Sequence, residues 1–166
     1  MSLSRGFPPL ASSAARILIL GSLPGEASLR AGQYYAHKQN AFWRIMGDLL
    51  GAGPALPYAQ RVEKLGTAGI AVWDVIAACE RSGSLDSDIV SNSVCVNDFS
   101  AFFAVHRSID RIFFNGGAAE ASFRRHVLPE LSEMNLQLVR LPSTSPAHAA
   151  RSYAEKLAAW SVIVAK

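Results

Sequence analysis

Arg16-Ile17-Leu18-Ile19-Leu20 runs straight into Gly21-Ser22-Leu23-Pro24-Gly25. An unbroken apolar run of this length reads as a strand covered on both faces, since a half-exposed strand would alternate with polar residues. The turn behind it has its own logic: glycine permits close backbone approach and proline stiffens the bend. The pattern recurs downstream. Gly69–Val75 (GIAVWDV), Asp110–Phe114 (DRIFF) and Leu136–Leu141 (LQLVRL) are apolar runs with turn or helix signals behind them.

Between these runs the spacing turns helical. Asn40–Leu50 places Phe42, Trp43, Ile45, Met46, Leu49 and Leu50 on one side, and Gly51 closes it. Phe42 and Trp43 read as core. Tyr58–Leu65 is a weaker helix ended by Gly66. Asp98 reads as the N-cap of a helix through His106. Asn115-Gly116-Gly117 turns into a helix through Leu128, and Ala147 to about Ala165 forms the last one. Glu80–Val96 is polar and reads as a loop. Strand alternating with helix predicts a parallel sheet with helices on both faces, joined by right-handed crossovers.

The bulk numbers fit one domain over residues 1–166, with 1–15 as a lead-in segment. Half of the 166 residues are hydrophobic and 17% are charged, which excludes a disordered chain. The net charge of +3 allows a polyanionic partner without requiring one. Cys79 and Cys95 form no CxxC pair and read as two reduced, buried thiols. No apolar run reaches membrane-span length and no signal peptide opens the chain, so a cytoplasmic protein without membrane contact is expected.

Loops that follow parallel strands open at one sheet edge, where such folds build their sites. Two loops there carry more chemistry than a turn needs. The first is Gly21–Gly25 with the downstream Gln33–Trp43 stretch (QYYAHKQNAFW). Tyr34 and Tyr35 are either core rings or a stacking platform for a flat ligand. Asn40 is either a helix cap or a group that holds a water. The second loop, Pro142-Ser143-Thr144-Ser145-Pro146, precedes His148 and offers hydroxyl and backbone donors suited to a phosphodiester. Asp74 ends its strand as either a turn cap or a ligand acceptor and base. Asn115 ends its own strand as either a turn residue or a ligand contact. The first loop is not a phosphate loop, a dinucleotide fingerprint or a nucleophile elbow.

Taken together and in this order, these motifs resemble the uracil-DNA glycosylase superfamily, within it the hypoxanthine-DNA glycosylase branch, from about Arg16 to Trp160. The resemblance implies a three-layer α/β/α sandwich around a four-stranded parallel sheet. It implies hydrolysis of an N-glycosidic bond after a damaged base is flipped into a pocket, with no metal or cofactor. The partner would be DNA containing a deaminated base, and the protein a monomer. Mismatch-specific uracil relatives carry Asn where this chain has Leu23, and the Asp of the classical uracil enzymes is also absent. The resemblance to the hypoxanthine branch implies that the catalytic Asn is the one in the AHxxN stretch, which matches Asn40. Tyr35 matches the ring that stacks on the flipped base. Asp74 falls near the strand-end residue that reads the base edge in relatives; Ser22 and Leu23, through their backbone N–H groups, and Asn115, at the analogous strand end, are further candidate base contacts. Ser143, Thr144, Ser145 and His148 fall in the loop that grips the DNA backbone and inserts into the stack. Uracil or mixed uracil/xanthine excision, a serine hydrolase using Ser22 or Ser145 with His148, and a non-catalytic nucleic-acid module stay open as alternatives.

Overall fold

A computed structural model describes residues 2–131 and 134–165. Its centre is a parallel sheet made of the four apolar runs. In chain order the strands are β1 (Ser2–Arg5), β2 (Ile17–Gly21), β3 (Ile70–Asp74), β4 (Ile76–Arg81), β5 (Cys95–Val96), β6 (Arg111–Asn115) and β7 (Gln137–Leu141). The parallel sheet has the order β3-β2-β6-β7. Both β2 and β3 are buried along their whole length, as unbroken apolar strands require.

Alternation along the strands splits the core in two. Leu18, Leu20, Trp73, Ile112 and Phe114 face one side, where they meet Phe99, Phe102, Phe103 and Phe123. Those rings come from α4 (Phe99–Val105) and α5 (Gly117–His126), numbered after α1 (Glu26–Ala31), α2 (Phe42–Leu50) and α3 (Tyr58–Thr67). Ile17, Ile19, Val72 and Phe113 face the other side and pack on Phe42, Trp43 and Met46 of α2 and Leu65 of α3. Trp160, from α6 (Tyr153–Trp160), completes that layer. The result is the expected α/β/α sandwich. Asp98 caps α4 as read from sequence, its Oδ1 accepting from Ala101 N at 3.0 Å.

Four expectations need correction. The lead-in is structured: β1 pairs antiparallel with β4 from Ser2↔Arg81 to Arg5↔Ala78. Further on, Leu10 exchanges two 2.9 Å backbone bonds with Val72, covering the free edge of β3. Glu80–Val96 is not all loop, because β4 and β5 complete a three-stranded antiparallel sheet with β1. The last helix starts at Tyr153 rather than Ala147. Ser152 caps it, its Oγ accepting from Glu155 N, while the Glu155 carboxylate accepts from Ser152 N. Cys79 is buried but Cys95 is exposed.

Candidate active site at the carboxyl edge of the parallel sheet

Strand register sets the site. Gly21 lies opposite Asp74 across β2 and β3, and Asn115 lies opposite Leu141 across β6 and β7. The loops leaving these four positions enclose a cavity of about 630 Å³. It is lined by every site residue read from the sequence, from Ser22, Leu23, Tyr35 and Asn40 through Asp74 and Asn115 to the 143–148 loop.

Adjacent tyrosines are sent in opposite directions. Tyr34 goes into the core, where its OH donates to Pro8 O at 2.9 Å and its own carbonyl accepts from Trp43 Nε1 at 2.7 Å. Tyr35 then takes a left-handed φ of 54°. That conformation is costly for a bulky residue and tends to persist where function holds it. It turns the ring onto Phe42, with centroids 4.1 Å apart and planes 29° apart. The Tyr35 hydroxyl is buried and has no hydrogen-bond partner among the described residues. Burial and the nearby Asp74 raise its pKa far above the ordinary phenol range. Gly21 makes room for this arrangement. A Cβ there would stand 2.6 Å from Asp74 Oδ1 and 3.0 Å from the Tyr35 hydroxyl.

Asp74 is 4% exposed, and its Oδ2 has no partner among the described residues. Burial, with a smaller push from Asp86, lifts its pKa to about 7 against the pull of Arg81. Near neutral pH its carboxyl is therefore held partly protonated rather than fully ionised. Arg81 went unnoticed in the sequence. It ends β4, is 2% exposed, and its Nη2 donates to Pro24 O at 2.5 Å. It thus ties the first loop down and supplies the positive charge behind Asp74. Nothing in the local sequence marks an arginine as buried. Asp86, at the mouth, is held above its usual range by lost hydration, with Arg81 and the Ser22 hydroxyl pulling the other way.

Asn40 stands just before α2. Its Oδ1 accepts from Phe42 N at 2.9 Å, which orients the amide, and Ala41 rather than Asn40 is the capping residue. Leu23 offers the cavity its backbone, since its side chain is buried in the core.

The second loop differs most from expectation. Thr144 is 1% exposed, and its hydroxyl and amide both bond to the Asn115 side chain at 2.9 Å. Asn115 is a clamp for the loop, and Thr144 is buried, its Oγ1 accepting from the Asn115 amide and its N–H donating to Asn115 Oδ1. Ser143 Oγ accepts from Ser145 N, and Ser145 Oγ accepts from Ala147 N. Neither Ser22 nor Ser145 bonds to His148 among the described residues, so the serine-hydrolase alternative lacks its base. Ala41 N donates to Thr144 O at 3.0 Å, joining the two loops. From α6, Lys156 Nζ donates to His148 O at 2.8 Å and Trp160 Nε1 to Pro142 O at 2.9 Å. A clasp holds α6 in turn: Tyr153 OH donates to Asp48 at 2.6 Å, with Arg44 stacked on the Tyr153 ring.

No group of three or more His, Cys, Asp or Glu side chains able to hold a metal occurs among the described residues. No described helix is long and apolar enough to cross a membrane.

Comparison with known proteins agrees with this layout. The Uracil DNA glycosylase superfamily model matches residues 8–164. A protein of Methanosarcina acetivorans named Hypoxanthine DNA glycosylase is 36% identical over 147 residues, 88% of this chain and 89% of that one. A namesake from Methanosarcina barkeri is 39% identical over 113 residues, 68% of this chain and 70% of that one. A solution NMR structure from Methanosarcina acetivorans, described as a candidate uracil DNA glycosylase, superposes with a TM-score of 0.75. It is 33% identical and covers 98% of this chain and 99% of its own. The chain belongs to the uracil DNA glycosylase superfamily, on the branch of the relatives named hypoxanthine DNA glycosylase.

Proposed function

We propose that this protein excises hypoxanthine from DNA by hydrolysing the N-glycosidic bond of a flipped-out deoxyinosine. The observation that carries the reading is Asp74: a buried carboxyl lining a cavity roomy enough for a flipped nucleotide, beside the Tyr35 ring and within the fold of relatives named for that activity. A carboxyl near its pKa both donates and accepts hydrogen bonds. Hypoxanthine presents a ring N–H beside a carbonyl, and the two edges match. Uracil presents a similar pair, so cavity shape must separate them.

The extruded base would lie against Tyr35, whose far face is backed by Phe42. Bond cleavage leaves positive charge on the sugar and negative charge on the departing base. Backbone N–H groups of Ser22 and Leu23 are suited to stabilise the base anion. Asn40 cannot act as a strong base, because a neutral amide has no useful proton affinity. Its oriented carbonyl can accept a hydrogen bond from water and aim it at the anomeric carbon. Ser143, Ser145 and His148 would meet the phosphates, with the Asn115–Thr144 clamp keeping their loop in place.

Two predictions test the contacts. Tyr35→Ala should weaken lesion-DNA binding by about 1–3 kcal/mol, the worth of one base–aromatic contact. Tyr35→Phe should bind like wild type, because the hydroxyl has no hydrogen-bond partner to lose. Titrations showing equal binding by all three proteins would remove Tyr35 from the base site. Affinity should also fall as salt rises, with a log–log slope of about 0.9 per phosphate contacted. A flat profile would argue against phosphate contacts at residues 143–148.

The substrate itself is tested with labelled duplexes carrying one hypoxanthine or one uracil, followed by alkali. Cleavage at hypoxanthine is expected. Cleavage at uracil alone would move the substrate, and cleavage at neither would overturn the reading.

A further inference from the structure

Shutting a cation away from water costs free energy unless its N–H groups are paired. Arg81 breaks that rule. Its Nη2 is engaged on Pro24 O, but Nε and Nη1 are buried with no hydrogen-bond partner among the described residues. No ion pair joins it to Asp74 or Asp86 among the described residues. A buried charge left this open is a poor device for stability.

The fold sets the guanidinium behind the site rather than in it. Pro24, Asp74 and Asp86 line the cavity and Arg81 does not. One residue, Val75, separates Asp74 at the end of β3 from the start of β4, which Arg81 ends. That junction is fastened to the first loop, with Val75 N donating to Gly21 O at 2.9 Å and Ile76 N to Ser22 O at 3.0 Å. The Arg81–Pro24 bond fastens the same loop further along. In direct contact, a guanidinium would hold Asp74 as a carboxylate. From a distance it offsets part of the cost of burial and leaves the Asp74 proton exchangeable. Burial and Asp86, from the loop between β4 and β5, favour the acid form. Tyr34 and Tyr35 lie within the field of Asp74 and stay protonated, held far above the ordinary phenol range by burial. The Asn97 amide meets the Asp74 backbone carbonyl.

We infer that Arg81 is a positioning residue that sets the alkaline limit of excision, acting on Asp74 through its charge and on the first loop through Pro24. This rests on the glycosylase reading above.

The test separates the charge from the tie. Arg81→Gln keeps an N–H for Pro24 O and drops the charge, and Arg81→Met serves in its place if that variant does not fold. Arg81→Lys keeps the charge. Asp86→Asn removes the opposing charge at the mouth. Single-turnover excision is followed through a pH series, and the Asp74 carboxyl is titrated in the free protein by carbon NMR. The pH at which excision falls by half should lie at least about half a unit higher in Arg81→Gln than in wild type. It should stay in place in Arg81→Lys and move lower in Asp86→Asn, with the Asp74 titration moving alongside. Loosened packing would not give opposite shifts from opposite charges. An unmoved limit in the charge-free variant would overturn the proposal. So would the same shift in Arg81→Lys, or shifts of one sign from Arg81→Gln and Asp86→Asn. Titrations that move as described in a protein that releases no base would refute the glycosylase reading while leaving the hold of Arg81 on Asp74 standing.

Discussion

Asn40→Ala should lower single-turnover excision by about a hundredfold or more while lesion DNA still binds. Misplacing one reacting group by an ångström costs that much, and here the group misplaced is the attacking water. The substitution also removes the acceptor for Phe42 N–H at the start of α2. A lost acceptor of this kind costs about 1 kcal/mol, which unfolds nothing in a domain with two packed core layers. Thermal melting and excision therefore separate the two effects. A variant that melts slightly early and keeps wild-type turnover would remove Asn40 from the chemistry.

Asp74→Asn should raise stability at and above neutral pH and remove a pH step from excision. In the wild type, burial raises the carboxyl from 3.8 to about 7. Between those values the folded protein keeps the proton and the unfolded chain releases it. Wild-type stability therefore falls as pH rises through this window. The asparagine variant has no such group, so its advantage opens from about pH 4 and is complete a little above pH 7. The full gap approaches about 4 kcal/mol, from roughly three pKa units at 1.36 kcal/mol each. The wild-type excision rate should fall as pH rises through about 7 and the Asp74 donor is lost, and the variant, whose amide keeps a donor, should lack that step. Denaturant unfolding at pH 5 and 8.5 checks the first claim and a pH–rate series the second. Equal stability of the two proteins at pH 8.5 would mean that Asp74 ionises without penalty.

This trade explains why a carboxyl that weakens the fold can stand at the cavity floor: a residue tuned for a ligand need not be optimal for stability. The groups around it follow the same logic. Arg81 and Asp86 act on Asp74 with opposite sign, and Arg81 also fastens Pro24, so loop position and carboxyl ionisation share one support.

The parallel sheet was legible because burial on both faces writes an unbroken apolar run into β2, β3 and β6. The capping aspartate of α4 was legible because its signal is local. The antiparallel sheet was not. Ser2–Arg5 holds a single apolar residue in a span of four, and Cys95–Val96 is only a bridge-length strand. The start of α6 could have been found, since Ser152 and Glu155 have the spacing of a capping box. At the site, the residue types and their order were readable, but their commitments were not. Nothing in Asn115-Gly116-Gly117 shows that the amide is spent on Thr144, and nothing in Tyr34-Tyr35 shows which ring enters the core. Those assignments depend on contacts between residues far apart in sequence.

The central claim is that the cleft breaks the bond between base and sugar and leaves the strand intact. The most direct measurement follows both products from a deoxyinosine duplex: free base by mass spectrometry, and strand length with and without alkali. Free hypoxanthine in step with alkali-dependent cleavage, lost in Asn40→Ala, is the predicted result. A strand cut without alkali, or an abasic product without released hypoxanthine, would contradict it.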